Sequence, residues 1–118
     1  MNTHHTMDLT YLRKMAGGDA ATEALLLRML AEELERDLPR VRQLCHGQQW
    51  SELTKLCNHL KSTLLFSGDR ILTEANNQLL DYAEKKGQSG LLVEPCLLMI
   101  ERNGERVLTH VRQLLAKR

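Results

Sequence analysis

The stretch that decides the fold is Leu53-Thr54-Lys55-Leu56-Cys57-Asn58-His59-Leu60-Lys61-Ser62-Thr63-Leu64-Leu65-Phe66-Ser67-Gly68. Its leucines recur at the three- and four-residue spacing of one helical face. At about 100° per residue, Leu53, Leu56, Leu60, Leu64 and Ser67 fall within about 80° and define a buried side. Asn58 points roughly 155° from the middle of that cluster, near the centre of the solvent face. Ser62 lies one turn above it, with Thr54, Lys55, Lys61 and Leu65 around. His59 lies about 105° from the core direction, on the flank of the helix.

Working outward, the same period recurs on both sides. Ser51 can cap this helix, and Gly68 interrupts it. Asp69 can cap a following helix that carries Ile71, Leu72, Leu79, Leu80 and Ala83. Residues 87–90 form a Gly- and Ser-rich turn, and Pro95 suits the opening turn of a last helix with Leu98, Ile100, Leu108, Val111 and Leu115. Upstream, Asp8 to Met15 reads as a short helix ended by Gly17-Gly18. Asp19 then caps a long one with Leu26, Met29, Leu30, Glu33, Leu34, Leu38, Val41 and Leu44 near one face. Pro39 lies inside that pattern and is expected to kink or split it. Gly47 closes it. No strand alternation and no repeat interrupts the series. Short links between amphipathic helices predict an all-α fold, an antiparallel up-down four-helix bundle with a short extra N-terminal helix. Residues 1–7 read as a tail and residues 8–118 as one domain.

Composition narrows the function. With 3% aromatic residues the core is aliphatic, and few β-branched residues favour helix over sheet. A net charge of +1 gives no field that would hold the chain on nucleic acid or an anionic membrane. No apolar run approaches the roughly 18 residues of a membrane span. Cys45, Cys57 and Cys96 are odd in number and lack CxxC spacing, so they read as free thiols of the reducing cytoplasm. His4 and His5 read as solvated tail residues, and neither Cys57 with His59 nor Cys45 with His46 has the spacing of a metal or nucleophile pair. Lys85-Lys86 and Lys117-Arg118 read as helix C-terminal cations. Paired carboxylates, a Gly-rich phosphate loop and a Ser-His-Asp set are all missing, so a stand-alone enzyme is not expected and no metal or cofactor is implied.

Leu56-Cys57-Asn58-His59-Leu60-Lys61-Ser62-Thr63, with Gly68 and Leu72 following, resembles the signature of the histidine-containing phosphotransfer (HPt) family. That signature runs small residue, active His, any residue, Leu, Lys, Gly or Ser, then a small residue. A Gly follows ten positions after the His and a Leu fourteen after it. Leu60, Lys61, Ser62, Thr63, Gly68 and Leu72 fit without a gap, and this register places Asn58 at the phospho-acceptor position. Anchoring on His59 instead moves Lys61, Gly68 and Leu72 out of place by one. The Tyr11-Leu12 to Gly17-Gly18-Asp19 opening and Gln49-Trp50 are similar to many bacterial members, so the likeness covers nearly the whole chain.

The resemblance implies a docking face for the receiver domain of a response regulator or hybrid sensor kinase, made by Lys55, Asn58, Lys61, Ser62 and Leu65. In the family an exposed imidazole attacks an aspartyl phosphate, and the receiver supplies metal and acidic groups. An asparagine amide has no basic nitrogen to accept phosphate. Three readings stay open. The chain is a monomeric module that binds receivers without passing phosphate, or an active carrier using His59 as alternative acceptor, or a helical adaptor unrelated to phosphorelay. The second needs the ring to swing by about 100°, a large error for in-line transfer.

Overall fold

A computed structural model describes residues 7–118. The tail reading of residues 1–7, with His4 and His5, lies outside the described residues except for Met7, which is half-buried against the core. Five helices follow in order: α1 (Thr10–Ala16), α2 (Ala20–His46), α3 (Trp50–Leu65), α4 (Arg70–Glu84) and α5 (Val93–Ala116). No strand occurs among the described residues. The four long helices pack in a closed ring, each against the next and α5 back on α2, while α1 rests on α2. One aliphatic cluster fills the ring, with Leu27, Leu34, Leu53, Leu60, Leu72, Leu79 and Leu97 almost wholly excluded from solvent. No helix among the described residues is long and apolar enough to cross a membrane.

The helix starts follow local chemistry. Asp19 accepts a hydrogen bond from the Thr22 amide and Asp69 one from the Leu72 amide, so each satisfies an orphan donor of its helix. Ser51 does not cap α3. The helix begins two residues earlier, with Gln49 at the cap position and Trp50 edge-on to Tyr82 at 5.6 Å. Helix α1 begins at Thr10 rather than Asp8, and the Asp8 carboxylate accepts from the Thr10 amide.

Pro39 does not split α2, which runs unbroken for 27 residues. The ring lies on the exposed side, where water can reach the carbonyl that loses its helical donor. Leu34, Leu38, Val41 and Cys45, buried on the opposite side, hold both halves to the same core. The expected apolar faces are also rotated in places. Met29, Ile71 and Leu98 are exposed; Leu30 and Leu72, expected on the same faces, are buried, and Leu97, not expected there, takes the core position beside Leu98.

The α3–α4 turn is tightly tied. Buried Ser67 lies beyond the end of α3, not on its face. Its hydroxyl donates to the Leu64 carbonyl and accepts from the Asp69 amide. Gly68 has φ +64°, and its Cα hydrogen faces the Asp8 backbone, where a Cβ would sit 2.1 Å from the carbonyl oxygen. The Asp8 amide donates to the Ser67 carbonyl at 3.1 Å. The turn therefore carries the N-terminal segment on its back.

Candidate docking face on the third helix

Helix α3 turns Leu53, Leu56, Cys57, Leu60, Thr63 and Leu64 inward. Lys55, Asn58, Lys61 and Ser62 are exposed, and Leu65 is 51% exposed. Lys55, Lys61 and Ser62 are the i−3, i+3 and i+4 neighbours of Asn58, so these side chains share one surface. Leu65 follows Ser62 along the same stripe and adds an apolar end. The five residues singled out from the sequence are thus brought together on the outer side of α3. Lys55 is loosely paired with Glu52, its ammonium 3.6 Å from the carboxylate.

The face is braced from behind. Cys57 lies directly under it, and burial pushes its thiol up to about 12. Burial likewise raises Cys96 to about 11. Both thiols therefore stay protonated and unreactive at neutral pH. Asn76, buried on α4, donates its amide to the Cys57 carbonyl at 2.9 Å and ties the middle of α3 to its neighbour.

His59 is held elsewhere. Its Nε2 lies 3.1 Å from Glu33 Oε1 and 3.6 Å from Asp37 Oδ2, both on α2. The Thr63 hydroxyl donates to the same Glu33 oxygen at 2.6 Å. The ring is half-exposed but leans toward α2, away from Asn58. Asp37 is 2% exposed and is gripped by Arg36, whose Nε and Nη2 donate to its two oxygens at 3.0 and 3.2 Å. Arg40 stands 3.7 Å from the same carboxylate.

Glu33 was legible as a member of the core-facing stripe of α2. The Arg36, Asp37 and Arg40 cluster was not singled out. An acid at residue 37, between Leu34 and Leu38 on an apolar stripe, was the available signal. Among the described residues no group of three or more His, Cys, Asp or Glu side chains is placed to hold a metal ion. Compared with known proteins, the chain matches no family model, no curated protein and no solved structure.

Proposed function

We propose that residues 8–118 form an HPt-like module, an antiparallel up-down four-helix bundle with α1 as its short extra helix. It docks receiver domains of response regulators or hybrid sensor kinases without accepting phosphate. The reading places it in the cytoplasm as a monomer. One observation carries it: the position that matches the family's active histidine is Asn58, exposed on α3 beside Lys55, Lys61 and Ser62. Small Ser62 lets a second surface approach the amide. The two lysines suit the acidic pocket that the resemblance implies on the partner.

The electrostatics of His59 support the non-transferring reading. A nucleophilic nitrogen must present a lone pair to the phosphoryl group. Nε2 instead lies 3.1 Å from a Glu33 carboxylate oxygen, so a phosphoryl group approaching that nitrogen must displace the acid. A phosphoryl group arriving beside Glu33 and Asp37 would also meet like charge. The half-exposure of the ring is the one observation that favours the second reading, transfer through His59.

Incubation with a panel of phosphorylated receiver domains separates them. The expected result is saturable binding with no acid-labile label on the chain. Label that vanishes in His59→Ala would establish the second reading. Absence of binding to every receiver tested would leave an adaptor outside phosphorelay.

A further inference from the structure

The outward side of α5 carries a line of cations. Arg102, Arg106 and Lys117 are exposed, with His110 and Gln113 between the last two. Lys117 is the C-cap residue, and its right-handed helical angles keep it in line. At about 100° per residue these five side chains fall within an arc of about 80° and extend over about 22 Å of helix. We propose that this stripe docks an acidic helix of another protein, one that presents carboxylates at one-turn intervals. Helix α5 packs against α2 and α4 and lies across the ring from α3. The proposal therefore goes beyond the receiver reading and does not depend on Asn58.

The charges of α5 are segregated around its axis. Glu94 and Glu101 turn toward α2, where both accept from Arg42. On the same edge Arg112 meets Glu35, and past the helix end Arg118 meets Glu23. The stripe has no such partners. Among the described residues no acid lies within ion-pair distance of Arg102, Arg106 or Lys117. Arg106 reaches only the neutral Asn103 side-chain oxygen, at 3.4 Å. Glu105 borders the stripe and lines one shallow recess with Arg102 and Arg106. It stands about 100° round the helix from Arg106, on the α2 side. One carboxylate at the border against three cations leaves the stripe positive. Like charges one turn apart weaken a helix, so Arg102 and Arg106 oppose the isolated fold, and an acidic partner relieves them. Carboxylates four residues apart on an approaching helix recur at about 6 Å, the interval between Arg102 and Arg106. Exposed Met99, three residues before Arg102 on the same line, adds an apolar contact at one end. Helix α5 has no aromatic side chain to stack a base, and its apolar face is buried in the core rather than open to a lipid surface.

A synthetic alanine-rich helical peptide with Glu at every fourth position tests this by fluorescence anisotropy, against a peptide of the same composition with Glu spread around all sides. Saturable binding of the first peptide, weakened by added sodium chloride, is expected. The double variant Arg102→Gln with Arg106→Gln raises the half-saturation concentration about tenfold. Its Tm stays level or rises, because the like-charge contact is gone. Should that variant lose its helical signal, Lys117→Gln serves in its place and weakens binding about threefold. Lys86→Gln, off the stripe, leaves binding unchanged. Equal binding of the two peptides, or unchanged affinity in the double variant, overturns the proposal. So does tighter binding of a short DNA duplex or of a phosphatidylserine vesicle. Dimerisation of the chain that the double variant abolishes makes the occupant a second copy and overturns it as well. No receiver domain enters this test, so its failure and failure of the docking reading are told apart.

Discussion

Two glycines with the same backbone angle make a controlled experiment on the α3–α4 turn. Gly17 and Gly68 both have φ +64°, but a Cβ on Gly17 meets nothing within 4 Å. Gly17→Ala should therefore cost only the left-handed penalty, about 1 kcal/mol. A Cβ on Gly68 would stand 2.1 Å from the Asp8 carbonyl oxygen and 2.8 Å from the Asp8 nitrogen. These are backbone atoms and cannot rotate aside, so Asp8 must retreat. The retreat breaks the bond from the Asp8 amide to Ser67, worth about 1 kcal/mol. It also loosens Met7 and Leu9 from the core, for about another 1 kcal/mol. Gly68→Ala is thus expected to cost about 3 kcal/mol, which lowers Tm by about 12 °C in a domain of this size. Urea unfolding followed by Trp50, the single tryptophan, reads both variants. Equal losses in the two would refute the reasoning and unseat Asp8 from the turn. The experiment also bears on the family motif: it gives Gly68 a packing role that needs no phosphate chemistry.

Three further outcomes are expected. Asn58→His, on an exposed position, should change stability by no more than about 0.5 kcal/mol. If the register is right it should make the chain accept acid-labile phosphate from a receiver; an unlabelled variant that still binds receivers would count against the register. Arg42 holds Glu101 and Glu94 below the usual glutamate range through hydrogen bonds of 2.7–2.9 Å, and His46 also lowers Glu94. A depressed carboxylate stabilises the fold above its unfolded value, and that contribution fades as pH falls through the folded value. Acid unfolding below about pH 4.5 should therefore be shallower in Arg42→Ala, and an unchanged profile would show these pairs to be idle. Finally, thiol-specific reagents at pH 8 should label native Cys57 and Cys96 slowly and label all three cysteines quickly in urea, as mass spectrometry would record. Fast native labelling of Cys57 would mean that the core beneath Asn58 opens readily.

Much of the architecture was legible because it is local. The leucine period placed α3, α4 and α5, and Asp19 and Asp69 announced helix starts with their own side chains. What failed was rotational phase and continuity. Ile71 and Leu98 sit beside equally apolar Leu72 and Leu97, and only packing decides which of two adjacent leucine-like residues turns inward. Pro39 carries a local signal for a break, yet burial on both sides of it outweighs one lost hydrogen bond. On α3 the outer residues were readable from angles alone, since they need only point away from the leucines. The capture of His59 by Glu33 and Asp37 was not, because it joins residues 22 or more positions apart in sequence across two helices.

That capture gives the one-residue step between Asn58 and His59 its chemical weight. On an isolated helix the two differ by about 100° of surface angle. Within the ring of helices that angle separates open solvent from a pair of carboxylates. Bringing the imidazole to the position of Asn58 would rotate α3 and carry Cys57 and Leu60, now buried, out of the core. Leaving the helix in place and phosphorylating the ring where it stands would set a doubly charged group a few ångströms from Glu33. At an effective dielectric near 20, like charges about 4 Å apart repel by about 4 kcal/mol, less what exposure to water screens. Transfer through His59 asks for one of these costs. Docking through Asn58 asks for neither, because the amide already faces outward and carries no charge to be matched.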